Sequence, residues 1–279
     1  MTRNVDSAVT TFARYFILIA FALVMILPMW YLLVTSFKPH AYVLSTPPDL
    51  FPTHITFSNY AKAWESNNFS NFFRNSIVVS VIATVVGTLV SSAAAFVISR
   101  SQFVGRKLFY SLLLGSMMIP SMTFIVPQFK MMKQFGLLNS LVGLILIYSA
   151  GMIPFTTFLM KGFFDEVPKE LEDSVLIDGG GKFTLFSRIM MPMALPSLAT
   201  AFIFNFMGTW DEFTLAITFI DDPSKWTLPI AIMLFQGQHA TEWGIVFAAS
   251  VTAILPVILV FLVFQRFIIK GIMSGAVKG

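Results

Sequence analysis

The chain has 279 residues, of which 56% are apolar, 11% are charged and 31 are Phe. This composition is typical of a polytopic membrane protein and excludes an ordinary soluble globular domain. The formal net charge of +4 is too small and too scattered to indicate nucleic-acid binding. The sequence contains no cysteine, which excludes disulfides, thiol catalysis and thiolate metal sites.

Six apolar stretches are long enough to cross a bilayer, because a helical span needs about 20 mostly apolar residues. They lie at 12–36, 77–99, 108–129, 141–160, 197–220 and 244–269. The first follows Arg3 as a signal peptide would, but it is too long and lacks a small-residue cleavage site, so we expect a retained helix. The sequence therefore predicts an all-α protein with six transmembrane helices in a single domain over 1–279.

The basic residues divide unevenly between the two sides of these spans. With the N-terminus inside, twelve of the 18 Lys and Arg residues lie inside, and the six outside are Lys38, Lys62, Arg74, Lys130, Lys133 and Lys225. Because cytoplasmic segments carry the excess of basic residues, this predicts cytoplasmic termini and a cytoplasmic segment 161–196. The segment 37–76 is then extracytoplasmic, and it is expected to carry a short helix at the membrane surface.

The segment 168–196 is the only long polar interruption in the second half of the chain. Pro168 has the φ of a first helical position, and the acids after it, Glu170, Glu172 and Asp173, favour the positive end of a helix dipole. Asp178-Gly179-Gly180-Gly181 should end this helix, because glycines tolerate positive φ and close approach. A second short helix is predicted at about 182–191, with Pro192 ending it.

The order of residues in this segment resembles the EAA loop of the permease subunits of binding-protein-dependent ABC importers. The matching positions are Asp173-Ser174-Val175 in place of the usual Glu-Ala-Ala, then Asp178, Gly179, Phe186, Ile189, Pro192 and Pro196. The resemblance implies the type I ABC importer permease fold and a coupling helix that docks on an ATPase subunit. It assigns this coupling to Glu172, Asp173, Ser174, Asp178, Gly179, Gly180 and Phe186. Residue types alone also allow an ordinary amphipathic cytoplasmic hairpin.

The fifth predicted span holds Asp211 and Glu212, the only acidic residues in any of the six. A charge near the bilayer centre costs about 2.5–3.5 kcal/mol on insertion scales, so these side chains should face a polar cavity or a partner subunit. Adjacent helix positions point about 100° apart, so we expect one acid to face the pathway and the other to pair with another chain.

The segment 208–213, which includes Trp210, resembles the Trp-Asn-Glu/Asp-Phe/Tyr segment of the oligosaccharide branch of this family. Together with Asn205, it implies a sugar pathway, since aromatic faces beside polar groups suit sugars. The alternative is that these residues are polar contacts between two permease subunits.

Three further side chains are candidates for the pathway. Met118 lies beside two other methionines around Pro120 in the third span, where flexible thioethers could form an adaptable gate or simply fill space. Tyr148 and Gln128 are polar side chains that could reach the same cavity. The segments 99–107 and 265–279 resemble a cytoplasmic turn and the C-terminal tail of sugar-importer permeases, and the tail is implied to lie against the ATPase subunits.

The resemblance as a whole implies a subunit of a carbohydrate importer in the cell membrane. Its implied partners are a second related permease, two ATPase subunits that bind ATP and Mg²⁺, and an extracytoplasmic sugar-binding protein. The chain itself is expected to have no catalytic residue, metal site or cofactor, and Gly179-Gly180-Gly181-Lys182 lacks the remaining residues of a phosphate loop. Two alternatives stay open: a permease of this type for another solute, and a secondary transporter that moves protons through Asp211 or Glu212.

Overall fold

A computed structural model describes residues 2–39, 50–52, 54–65, 68–235 and 242–276. All regular secondary structure within these ranges is helical, which confirms the predicted all-α class. Part of the predicted extracytoplasmic segment, at 40–49, 53 and 66–67, lies outside the described residues, as does the end of the predicted tail at 277–279.

The chain divides into two compact units, the first formed by 1–69 with 232–254 and the second by 70–231 with 255–279. The first unit contains α1 (Thr2–Ser36), α2 (Ser58–Glu65) and the beginning of α12 (Trp243–Ala276). Asn59 of α2 donates from Nδ2 to the carbonyl oxygens of Ser36 at 2.9 Å and Lys38 at 2.8 Å, just past the end of α1. A Cβ on Gly244 would lie 2.8 Å from the Asn59 amide, so the start of α12 packs directly on this residue.

The second unit contains the remaining helices. These are α3 (Phe69–Arg100), α4 (Arg106–Ser116), α5 (Ile125–Gln134), α6 (Leu141–Glu166), α7 (Glu170–Ile177), α8 (Lys182–Met193), α9 (Leu195–Trp210), α10 (Thr214–Phe219), the first half of α11 (Leu228–Leu234), whose residues from 232 belong to the first unit, and the rest of α12. A 3₁₀ turn at Ser121–Phe124 precedes α5, and the two form one arm, Ser121–Gln134.

Four described helices are long and apolar enough to cross a membrane: Thr10–Ser36, Phe69–Arg100, Leu141–Glu166 and Trp243–Phe267. Two further candidates are bent pairs, α4 with Ser121–Gln134 at 102° and α8 with α9 at 77°. If each bent pair is counted as one span, the described residues hold up to six, the number that hydropathy predicts, although the second pair covers 182–210 and the predicted span covers 197–220.

The structure corrects the bounds of three predicted segments. The stretch 108–129 is not one helix, because α4 ends at Ser116 and the chain turns before Pro120, which cannot donate a backbone hydrogen bond. The stretch 197–220 is also interrupted, since α9 ends at Trp210 and α10 begins only at Thr214. Finally, α3 begins at Phe69, eight residues before the predicted start at 77, which shortens the predicted loop around α2.

Two apolar cores are found among the described residues of the second unit. One joins α3, α6 and α8 through Ala95, Phe96, Met160, Phe164, Leu185 and Met190. The other joins α3, α6 and α10 through Val79, Ala83, Leu144, Ile147, Met152 and Phe219. The first core lies where α3 and α6 end, so it fixes the polar segment 168–193 to that end of the unit.

Candidate functional site

The polar segment forms two helices joined by a glycine-rich turn, as the sequence predicts. We call α7 and α8 together the hairpin, and the turn 178–181 between them the elbow. The carbonyl of Lys169 accepts hydrogen bonds from the N–H groups of Glu172 at 2.8 Å and Asp173 at 3.0 Å. The helix α7 therefore starts just after Lys169, two residues later than the predicted start at Pro168. Three acidic residues in its first turn lie at the positive end of the helix dipole.

The elbow uses two of its glycines for different reasons. Gly179 has a φ of +77°, in the left-handed region that other residues rarely adopt. Gly180 instead leaves no room for a side chain, because a Cβ there would lie 2.7 Å from Cγ1 of Val175. The N–H of Gly180 also donates to the carbonyl of Val175 at 2.8 Å, which satisfies one of the last carbonyls of α7.

The second helix of the hairpin, α8, continues through Pro192 to Met193, so the predicted end at Pro192 is wrong. A wide π-helical turn over Leu185–Met190 precedes the proline. The ordinary hydrogen-bond pattern is already changed there, and a proline two residues later does not end the helix.

The hairpin exposes one group of apolar side chains and buries another. Ile177 is 85% exposed and Phe183 is 79% exposed. Phe186, which the resemblance assigns to coupling with the ATPase, is half-buried and packs on Phe96 of the same chain with 5.2 Å between ring centroids. It anchors the hairpin on the first core. The other assigned residues remain on the hairpin surface, with Asp173, Ser174, Asp178 and Gly179 exposed and Glu172 and Gly180 half-buried.

Arg100 fixes the root of the hairpin, by which we mean the end of α6 from which the hairpin begins. The sequence does not predict this role. Its Nη2 donates to the carbonyl oxygens of Phe164 at 2.6 Å and Val167 at 2.5 Å, at the end of α6. Ser99 also donates to Asp165 at 2.6 Å. The sequence places Arg100 among the cytoplasmic charges and in the turn 99–107, but neither observation predicts its contacts with the end of α6.

A cavity of about 720 Å³ lies within the second unit, between the α4–α5 bend, α6, α9 and the start of α10. Four of the six residues predicted for the pathway line it, namely Met118, Tyr148, Asn205 and Glu212. The other two do not. Trp210 is buried and stacks on Phe206 with 5.6 Å between ring centroids, whereas Asp211 is exposed outside the lining.

Among the described residues that line the cavity, Glu212 is the only acid. Its carboxylate accepts hydrogen bonds from the Tyr148 hydroxyl at 2.6 Å and from the N–H groups of Leu215 at 2.8 Å and Ala216 at 3.0 Å. It therefore stabilises the start of α10, where backbone N–H groups have no helical partner. Because α9 ends at Trp210, the expectation that Asp211 and Glu212 diverge as neighbours on one helix does not apply.

Asn205 joins three helices. Its Nδ2 donates to Oγ1 of Thr156 at 2.9 Å and lies 3.2 Å from Oγ1 of Thr88, so α9 is bonded to both α6 and α3. Such contacts between polar side chains are a known means of association between membrane helices. Asn205 thus both lines the cavity and connects helices within this chain.

The remaining lining is mostly apolar and includes several flexible methionine side chains. Met117, Met118, Met122 and Met152 contribute thioethers, and no described lining residue is Lys, Arg or His. Gln128 also lines the cavity, and its Oε1 is buried without a hydrogen-bond partner among the described residues. The cavity can therefore receive a neutral molecule that offers apolar faces and hydrogen-bonding groups.

The chain belongs to the family described as the inner membrane component of binding-protein-dependent transport systems, whose model matches residues 87–274. It is therefore a membrane-embedded transport subunit. Among its relatives is the diacetylchitobiose uptake system permease protein NgcG of Streptomyces coelicolor, 38% identical over 94% of this chain and 87% of NgcG. The melibiose/raffinose/stachyose import permease protein MelC of Bacillus subtilis is 34% identical over 91% of both chains.

The fold has a counterpart among solved structures. A chain of a bacterial ABC transporter involved in the import of the acidic polysaccharide alginate matches with a TM-score of 0.80, covering 94% of this chain and 97% of that chain. The sequences are 22% identical, so this likeness shows a shared fold alone. It agrees with the permease fold that the EAA-like segment implies.

Proposed function

We propose that the chain is a permease subunit of an ATP-driven importer for neutral sugars or oligosaccharides and forms half of the translocation pathway. The names of two similar relatives, one from a diacetylchitobiose uptake system and one from a melibiose, raffinose and stachyose importer, support a sugar as cargo. The restriction to neutral sugars rests on the cavity alone. The chemistry of the cavity agrees with a neutral sugar, because the part of the chain that the structure describes places no basic residue in its lining to attract an acidic cargo.

The coupling part of the proposal rests on exposed apolar side chains beside the elbow, which we call the tip of the hairpin. Ile177 and Phe183 are largely exposed, with Leu176 also exposed beside them, on a segment that Arg100 and Phe186 hold in place. Exposed apolar side chains of this size favour a protein partner. We infer that this partner is an ATPase subunit. The hairpin residues that we expect to contact it around the tip are Glu172, Asp173, Ser174, Asp178, Gly179 and Gly180.

In this proposal the hairpin lies in the cytoplasm, as the distribution of basic residues predicts. Two ATPase subunits bind ATP and Mg²⁺, and this chain binds neither. A second related permease completes the pathway, and an extracytoplasmic binding protein delivers the sugar on the opposite side. The apolar side chains of α1 between Phe12 and Leu33 are largely exposed, which suits contact with lipid and with the second permease.

The cavity provides the part of the pathway that belongs to this chain. Its lining includes Met118, Tyr148, Gln128, Asn205 and Glu212. The two acids that could carry protons, Asp211 and Glu212, have different positions. Asp211 lies outside the lining, and Glu212 already accepts three hydrogen bonds. Neither arrangement favours proton transport as an independent function.

The test is to purify the tagged chain from its native membrane, identify the proteins that accompany it, and reconstitute the complex in proteoliposomes. We expect a second permease and an ATPase to co-purify, and ATP hydrolysis to rise when a sugar-loaded binding protein is added. Uptake of a neutral oligosaccharide should compete with other neutral sugars and not with uronic acid oligomers. Uptake driven by a proton gradient without ATP would refute the proposal, and selective uptake of an amino acid or phosphonate would refute the cargo.

A further inference from the structure

The turn between α3 and α4 forms a second pocket, of about 610 Å³, which shares no residue with the first cavity. Its lining is Gln102, Phe103, Gly105, Arg106, Lys107 and Leu108, in which two residues are basic and none is acidic. The pocket lies at the hairpin end of the second unit, since Lys182 of α8 contacts Ser101 of the turn at 3.4 Å.

The two basic side chains are only partly balanced by acids around them. Lys107 is exposed and has no hydrogen bond or ion pair with any described residue. Arg106 lies 3.3 Å from the Ser101 carbonyl through its Nη1, and its charge also acts on Asp165. The nearby acid Asp165 already pairs with Lys161 at 2.5 Å. The pocket therefore retains an excess of positive charge, which favours an anion.

An apolar surface continues directly from the pocket along α4. No residue of α4 is buried, and Leu108 and Leu112 are 65% and 64% exposed. A free phosphate would use only the basic end of this surface. A phospholipid would use both parts, with its phosphate beside Arg106 and Lys107 and an acyl chain along the exposed leucines.

We propose that this pocket binds the headgroup phosphate of an anionic phospholipid. Arg106 and Lys107 hold the phosphate, and the exposed face of α4 contacts the acyl chains. The inference rests on the proposed orientation only for its leaflet, which is the cytoplasmic one. It is independent of the cargo and of the coupling to an ATPase.

Native mass spectrometry of the purified, delipidated complex tests the assignment by titration with phosphatidylglycerol, phosphatidylcholine or inorganic phosphate. A basic residue near an anionic lipid surface contributes about 1 kcal/mol, so the double variant R106Q/K107Q should bind phosphatidylglycerol about 30-fold more weakly. The matched control is K130Q/K133Q, which removes two charges from α5 in the other arm of the same bent pair. It should bind as the unmodified protein does.

The single variant K107Q changes only an exposed side chain, and it tests the site if the double variant does not assemble. It should lose about fivefold in affinity.

Equal losses in R106Q/K107Q and K130Q/K133Q would overturn the proposal in favour of a general charge effect. Inorganic phosphate that binds alone and displaces the lipid would assign the pocket to a soluble anion. Equal affinity for phosphatidylcholine would remove the anionic requirement. Since the readout is lipid mass, these outcomes are separate from success or failure of the transport proposal.

Discussion

Replacing Gly180 by Ala tests whether the elbow determines the position of the hairpin tip. The new Cβ would lie 2.7 Å from Cγ1 of Val175 and 3.0 Å from its carbonyl oxygen. Ordinary carbon–carbon contacts are about 3.5–4.0 Å, so the end of α7 must move away by several tenths of an ångström. Val175 cannot easily turn aside, because a β-branched side chain in a helix has one strongly preferred rotamer. Overpacking of this kind typically costs about 1–3 kcal/mol.

If that cost falls on the conformation that docks the ATPase, ATP-dependent uptake should fall by between about 5-fold and 150-fold. The matched control is Gly181→Ala, since a Cβ at the next residue meets no atom within 4 Å and its φ is −95°. Its uptake should equal that of the unmodified complex. Uptake and the thermal midpoint of the reconstituted complex are measured together.

A second-site change separates steric overlap from other effects. Val175→Ala removes the Cγ1 atom but leaves the carbonyl contact at 3.0 Å, so the double variant G180A/V175A should regain part of the lost uptake. The reasoning is refuted if Gly180→Ala and Gly181→Ala behave alike, or if the double variant is no better than Gly180→Ala alone.

Three further substitutions address the tip and the cavity. Ile177→Ser should weaken binding of the ATPase in a pull-down titration by between about 10-fold and 150-fold without changing the thermal midpoint, because burying such a side chain against a partner contributes about 1.5–3 kcal/mol. Unchanged binding would contradict the tip as a docking site. Glu212→Ala should lower the thermal midpoint by removing the acceptor for two N–H groups of α10, a loss of about 1–2 kcal/mol, whereas Glu212→Gln should recover part of it. Asn205→Ala should destabilise the subunit by about 0.6–1.7 kcal/mol in unfolding experiments, with Asp211→Asn as the tolerated control; equal stability of the two variants would contradict the three-helix role of Asn205.

Local features of the hairpin could be predicted from the sequence, because their causes are local. Consecutive glycines after an acid-rich helical turn indicate a tight reversal wherever the rest of the chain lies, and Gly179 and Gly180 are found in it. The direction of Phe186 could not be predicted in the same way. Its helical spacing fits either an exposed docking face or an internal face, and only the position of Phe96 on another helix decides between them.

Interruptions within the apolar stretches were the main features that the sequence did not reveal. Hydropathy averages over a window, so a broken helix and a straight one of equal apolar content look the same. A proline such as Pro120 favours a kink in a helix, but it does not specify a bend of 102° between two arms. The gap after Trp210 depends on Glu212 accepting N–H groups from its own chain and a hydroxyl from Tyr148, and that pairing requires α6 to be in place.

The hydrogen bonds of Arg100 restrain the hairpin at its root and leave its tip free to transmit force to the helices below. The guanidinium ties the ends of α3 and α6 together at the base of the hairpin, while Ile177 at the tip has no such restraint. A force on the tip would therefore act as a torque on two long helices at once. One of them, α6, forms a wall of the cavity, and the other reaches the cavity through the Thr88 contact with Asn205. A small rotation at the root would thus become a sideways displacement of both helices at the level of the cavity.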